Sequence, residues 1–198
     1  MTAPIVIVTQ RRDDTGPPHM ETRDALDHRL AAFVAAAGGL PVPVPSALTG
    51  DVLAGWLDAI KPDAVVLSGG ASIGDDTLRD SLEAALLDHA ARVHLPLLGI
   101  CRGMQMMGHA AGARLQTVTG HVATSHLLHG DIARCVNSYH AQSLAEVPAG
   151  YSVLARAPDD AIEAIGHDTR PWEGWMWHPE REARFAPQDV ARLKGIIT

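Results

Sequence analysis

Cys101 lies between two glycines in the run Gly99-Ile100-Cys101-Arg102-Gly103, directly after the apolar segment Leu95-Pro96-Leu97-Leu98 and before Met104-Gln105-Met106-Met107-Gly108. A buried strand, a sharp turn and a helix with a thiol at the apex make a nucleophile elbow, with Cys in place of Ser. Glycines two before and two after the thiol let the backbone turn tightly and bring the sulfur into the open. Its place near a helix N-terminus favours the thiolate, which is the nucleophilic form. Such a nucleophile needs a base. Trp177-His178-Pro179-Glu180 supplies an imidazole, with a carboxylate two residues on that can orient it and stabilise the imidazolium. Cys101, His178 and Glu180 together predict acyl transfer through a covalent thioester. A free cysteine is more often a small buried hydrophobe. The glycine frame sets Cys101 apart, whereas Cys135 lies in an extended apolar run and reads as core.

Acyl transfer also needs N–H donors aimed at the developing oxyanion. Ser68-Gly69-Gly70 ends a predicted strand one unit ahead of the elbow, so its backbone can give one donor and Arg102 N–H another. The polar cluster Asn137-Ser138-Tyr139-His140-Ala141-Gln142 closes an apolar strand and would hold the α-amino and α-carboxylate groups of a substrate; an ordinary turn is the plainer reading. His121, His126 and His129 are close together, but their spacing matches no strong metal pattern and no cysteine or carboxylate triad supports them. They are read as a substrate-facing loop, with no metal site. Arg11, Arg12 and Arg23 could meet phosphate or carboxylate, with solvated surface as the default for each.

The elements that must position these groups follow from periodicity. Residues 5–9 read as the first strand and 11–19 as a polar loop. From about 21 to 37, Leu26, Leu30, Phe33, Val34 and Ala37 share one helical face, ended by Gly38-Gly39. Residues 40–44 are extended, and their alternating prolines suit a sheet edge. A helix is predicted over about 51–60, stopped before Pro62, then a buried strand over 63–67. Leu78, Leu82, Ala85, Leu86 and His89 mark another helix, followed by the elbow strand at 95–100. Strands alternating with helices imply parallel pairing and an α/β layered fold. The second half differs: short extended runs at 114–118, 132–137, 152–157, 161–165 and 174–177 are spaced by turn residues, as in antiparallel hairpins. Pro187 opens a last helix, with Val190, Leu193 and Ile197 inward.

The 198 residues suit one domain, 1–198, with no linker that would divide it. A net charge of −7 argues against a general nucleic-acid binder. Two cysteines make no disulfide framework and fit a reducing cytoplasm. Neither a signal peptide nor an apolar stretch of membrane-spanning length is visible.

Taken in order, Ser68-Gly69-Gly70, Gly99-Ile100-Cys101-Arg102-Gly103-Met104-Gln105, Asn137-Ser138-Tyr139-His140 and Trp177-His178-Pro179-Glu180 resemble a class I glutamine amidotransferase-type domain over nearly the whole length. The resemblance implies a three-layer, flavodoxin-like, mainly parallel sheet with antiparallel additions in the second half. It implies a Cys101–His178–Glu180 triad and an oxyanion hole from the backbone of Gly70 and Arg102. Gly69, Gln105, Ser138, Tyr139 and His140 would help hold a γ-glutamyl group. Within the superfamily the chain looks most like the γ-glutamyl hydrolase branch, which needs no cofactor. The expected substrate is a small γ-glutamyl amide, and similarity in the segments 21–27 and 176–182 points to a phosphoramidate such as γ-glutamyl-CDP-amidate. A glutaminase subunit feeding ammonia to a partner synthetase, and a γ-glutamyl-γ-aminobutyrate-type hydrolase, are the alternatives. A homodimer is left open, and neither nucleic acid nor membrane is an expected partner.

Overall fold

The computed structural model describes residues 2–198. In chain order it begins with β1 (Ile5–Val8), the hairpin β2 (Arg11–Asp14) and β3 (Thr22–Ala25), and α1 (His28–Ala36). Next come β4 (Leu40–Pro43), α2 (Gly50–Ile60), β5 (Ala64–Leu67), α3 (Thr77–Val93), β6 (Leu97–Ile100) and α4 (Arg102–Ala110). The second half holds β7 (Leu115–Thr117), β8 (Val122–Leu127), β9 (His129–Gly130), β10 (Cys135–Tyr139), β11 (Gln142–Leu144), β12 (Tyr151–Arg156), β13 (Ile162–His167) and β14 (Trp172–Trp175). A single 3₁₀ turn at Pro179–Arg181 and α5 (Pro187–Ile197) close the chain.

Eight strands form one sheet in the order β4-β1-β5-β6-β14-β13-β12-β9. The pairs from β4 to β14 are parallel, and those from β14 to β9 are antiparallel. The predicted change of character between the two halves is a change of strand direction within this sheet at β14, β13 and β12, while β7 and β10 lie outside it in antiparallel pairs with β11 and β8. Both faces of the central strands are covered. Val6, Val8, Leu98 and Ile100 pack with Leu30 and Phe33 of α1 and Leu193 and Ile197 of α5. Ile7, Val65, Leu67 and Leu97 face the other way, against α2, α3 and α4. Successive residues of a strand point to opposite faces, so continuous apolar runs such as Ala64–Leu67 mark strands buried on both sides. Proline-bearing β4 sits at the sheet edge, paired only with β1.

Two local expectations are corrected. The predicted loop at 11–19 and the start of the predicted helix at 21 are instead the β2–β3 hairpin, in register Arg11↔Ala25 to Asp14↔Thr22. Helix α1 begins only at His28, because the Asp27 side chain accepts from Arg29 N at 2.9 Å and caps it there. The segment 120–131, read as a loop, carries β8 and β9.

Candidate active site

The elbow is built from β6 and α4. Cys101 is their junction, with φ 51° and ψ −106°, a region that costs a non-glycine residue about 1–3 kcal/mol. Its backbone is held on both sides: Cys101 N donates to Trp175 O at 2.6 Å, and Cys101 O accepts from Gln105 N at 3.1 Å. The flanking glycines are needed for close approach. A Cβ at Gly103 would lie 2.2 Å from the Leu67 carbonyl oxygen, and one at Gly99 would lie 2.6 Å from the Gly103 carbonyl carbon. Arg102 is the first residue of α4, where backbone N–H groups have no partner within the helix.

His178 follows β14. Trp175 and Trp177 stack on one face, with centroids 5.3 Å apart and planes 6° from parallel, as the alternation predicts. Asn137 clamps the His178 backbone: its Oδ1 accepts from His178 N at 2.9 Å, and its Nδ2 donates to His178 O at 2.8 Å. Pro179 opens the 3₁₀ turn that returns Glu180 to the ring, placing Oε1 2.6 Å from His178 Nδ1. That turns Nε2 away from Glu180, and the Cys101 side chain is the other group that favours the charged ring. Burial works against the imidazolium, but hydrogen bonds and negative charge from Cys101 and Glu180 outweigh it and push His178 up to about 9. From α1, Arg29 Nε donates to Glu180 O at 2.6 Å, and its Nη2 to Glu182 O.

The other expected residues divide into two groups. Gly69 and Gly70 line a small pocket with His178 and Glu180. A Cβ at Gly69 would fall 2.6 Å from His178 Cε1, and one at Gly70 would fall 2.1 Å from Arg79 Nη1. Tyr139, half-exposed, sets its ring edge-on to His178 at 5.9 Å, with the Arg181 guanidinium 4.7 Å from the ring centre. Gln105, Ser138 and His140 are buried and turned toward the protein. Gln105 Nε2 donates to Gln142 O at 2.8 Å, Ser138 Oγ donates to His121 O at 2.7 Å, and His140 Nε2 stands 3.1 Å from Glu163 Oε1. The Arg102 guanidinium is also spent inside, on Asp80 and Glu83. Cys135 is not core: β10 turns Val136 inward and leaves Cys135 exposed.

Sequence reasoning missed several residues. Arg29, Arg79 and Glu83 act at long range, and only the fold brings them to the elbow. Glu163 joins His121, His126 and His140 in a group whose donor atoms all lie within 4.8 Å of one another. A carboxylate in the apolar run Ala161-Ile162-Glu163-Ala164-Ile165 was the available signal. His129 stays outside this group, exposed.

Beside the elbow, a cleft of about 380 Å³ opens between the β2–β3 hairpin and the start of α3. Arg11 and Arg12 line it with Asp13, Asp14, Asp75 and Asp76. Arg12 pairs with Asp76 at 2.8 Å, Arg11 with Asp13 at 3.1 Å, and Arg23 with Glu21. The three arginines that could meet a substrate's phosphate or carboxylate are therefore met by the chain's own carboxylates. No helix among the described residues is long and apolar enough to cross a membrane.

Residues 36–195 match the family model "Glutamine amidotransferase class-I". The chain is 33% identical over 132 residues to a glutamine-hydrolyzing GMP synthase subunit of Methanosarcina barkeri, covering 62% of this chain and 66% of that protein. It is 30% identical over 125 residues to the γ-glutamyl-CDP-amidate hydrolase of Campylobacter jejuni, covering 60% and 62%. The match to the γ-glutamyl-γ-aminobutyrate hydrolase of Escherichia coli O157:H7 is longer: 31% over 208 residues, covering 82% and 81%. The chain thus spans less than two thirds of the first two relatives, and the likeness is shared among branches. A solved glutamine amidotransferase from Thermotoga maritima shares the fold, with a TM-score of 0.65 over 98% of this chain and 94% of that one, at 13% identity.

Proposed function

The chain belongs to the class I glutamine amidotransferase family, and from that premise we propose that it hydrolyses the amide bond of small γ-glutamyl compounds through Cys101. One observation carries this reading: the Cys101 side chain, at a strained elbow, and Glu180, held 2.6 Å from Nδ1, are the two groups that favour the charged form of the His178 ring. The Cys101 sulfur attacks the γ-carbonyl carbon. The oxyanion is received by the backbone N–H groups of Gly70 and Arg102. The tetrahedral adduct collapses, the C–N bond breaks, and His178 gives its proton to the departing nitrogen. Water then attacks the thioester carbonyl while His178 takes a proton from it; glutamate leaves and the thiol is restored. Glu180 keeps the imidazole oriented throughout. Gly69 leaves room for the His178 ring, and Tyr139 borders the approach to it.

For the leaving group, the paired arginines favour a small amine over a nucleotide phosphoramidate, because a diphosphate would have to displace Asp13 and Asp76 from Arg11 and Arg12. The longer match to a γ-glutamyl-γ-aminobutyrate hydrolase supports the same choice. The second reading is a glutaminase that delivers ammonia to a separate synthetase, supported by the likeness to the glutamine-hydrolyzing GMP synthase subunit.

The test is glutamate release from γ-glutamyl-γ-aminobutyrate, free glutamine and γ-glutamyl-CDP-amidate, each with wild type and Cys101→Ala. We expect turnover of the first to exceed the other two, and the alanine variant to fold normally and release no glutamate. Activity in folded Cys101→Ala removes the mechanism. Preference for glutamine selects the synthetase reading, and preference for the nucleotide amide returns the phosphoramidate.

A further inference from the structure

We propose that His121, His126, His140 and Glu163 form a closed site for one divalent transition metal of the zinc class. The proposal is independent of the reaction assigned to Cys101.

The argument rests on which atoms can carry protons. The Gln142 carbonyl lies 3.0 Å from His140 Nδ1 and can only accept, so that nitrogen holds the ring proton. His140 Nε2 then presents a lone pair to Glu163 Oε1 at 3.1 Å. Asp159 Oδ2 lies 2.9 Å from His121 Nε2, and a carboxylate accepts, so the proton of that ring is also on the outside. In the neutral ring His121 Nδ1 then presents its lone pair to the same Glu163 oxygen, at 3.2 Å. His126 Nε2 approaches that oxygen to 3.9 Å. Both His126 Nε2 and Glu163 Oε2 are buried with no hydrogen-bond partner.

Acceptors that face one another across about 3 Å need a positive centre between them. A proton would satisfy one pair and leave His126 Nε2 and Glu163 Oε2 unpaired. A single metal ion takes up all three imidazole nitrogens and the carboxylate together. Three imidazole nitrogens and one carboxylate oxygen are a donor set for zinc-class ions, and tetrahedral coordination places such donors roughly 3.3 Å apart. The donor atoms here lie within 4.8 Å of one another, so a modest turn of the His126 ring completes the set. The outer partners match a metal site too: imidazole ligands regularly donate their other N–H to a carboxylate or a backbone carbonyl, as His121 does to Asp159 and His140 to Gln142.

The side chains are 0% (Glu163), 1% (His140), 3% (His121) and 9% (His126) exposed. Four protein donors with so little solvent access leave no open position, which is the form of a structural metal site rather than a catalytic one. The ion would tie the β8–β10 ribbon to β13 of the main sheet. The same ribbon carries Asn137, which clamps the His178 backbone.

The test begins with the wild-type chain, stripped by dipicolinate, desalted and titrated with Zn²⁺ alone against a chromophoric chelator. One equivalent per chain is expected, and Co²⁺ in its place should give the visible absorption of a four-coordinate ion. His126→Ala should weaken zinc binding at least tenfold. Asp159→Asn, a change at an exposed position, should weaken it roughly tenfold or more. Replacing both cysteines by serine should leave it unchanged. Failure of wild type to bind stoichiometrically overturns the proposal. So does binding that survives in both His126→Ala and Asp159→Asn, or that disappears with the cysteines.

Discussion

At the scale of single residues, the proposed chemistry turns on where one imidazole keeps its proton. His178 is pushed up to about 9, so it is protonated through the neutral range and loses that proton as pH rises through 9. An acid that must protonate a departing amine then fails, and kcat/KM should fall on an alkaline limb centred near 9 in the free enzyme. Glu180 is one of the groups that raise it. Glu180→Gln should therefore move that limb to lower pH and cut the rate by roughly a hundredfold or more. A pH–rate profile that leaves the limb in place would sink the assignment of Glu180 as the positioning carboxylate. Cys101, His178 and Glu180 were legible in the sequence because each announces itself locally, by a glycine frame or by spacing around a proline. Asn137 was legible only as a polar residue in a cluster. Its hold on the His178 backbone depends on two segments meeting, which periodicity does not report.

At the scale of elements, the elbow is a problem of close packing. Helix α4 lies so near β5 that Gly103 leaves no room for a methyl group: its Cβ would meet the Leu67 carbonyl oxygen at 2.2 Å, and backbone cannot turn aside as a side chain can. Gly103→Ala should cost about 3 kcal/mol, read as a fall in melting temperature of roughly 6–12 °C. Gly55→Ala is the control. It lies on the exposed side of α2, where an added Cβ meets nothing, and should stabilise by up to about 1 kcal/mol. If both behave alike in thermal melts, close approach is not what fixes Gly103. The elbow and the buried parallel strands were readable because their apolar runs are continuous. The β2–β3 hairpin was not, because Arg11–Asp14 and Thr22–Ala25 are polar, short and largely exposed, with no apolar face to betray a period. Strand β8 was hidden for a similar reason: its partner β10 supplies most of the burial.

At the scale of the whole molecule, a buried charge network joins the elements that carry the site. Glu83 of α3 accepts from Arg79 on its own helix at 2.9 Å, from Thr9 after β1 at 2.8 Å and from Arg102 of α4. Arg79 in turn donates to Ser68 O at 2.7 Å, so the glycine loop and the elbow helix are bolted to one carboxylate. Removing it leaves the buried Arg79 guanidinium without a carboxylate and Arg102 with Asp80 alone. Glu83→Ala should cost about 3–5 kcal/mol in urea unfolding, far more than any surface pair; a loss under 1 kcal/mol would show that the network is solvated and weak. Topology adds something different. Strand β14 lies in the middle of the sheet, between β6 and β13, yet it is the last of the strands in sequence. During synthesis the thiol and its turn emerge well before the strand that delivers the imidazole. Until β14 takes its place beside β6, the Cys101 thiol lacks the imidazole that follows β14, and β6 lacks its neighbour on that side. The chemistry proposed for Cys101 therefore becomes available only once β14 is in place, and a β6 edge left unpaired until then is one that a neighbouring chain can pair with.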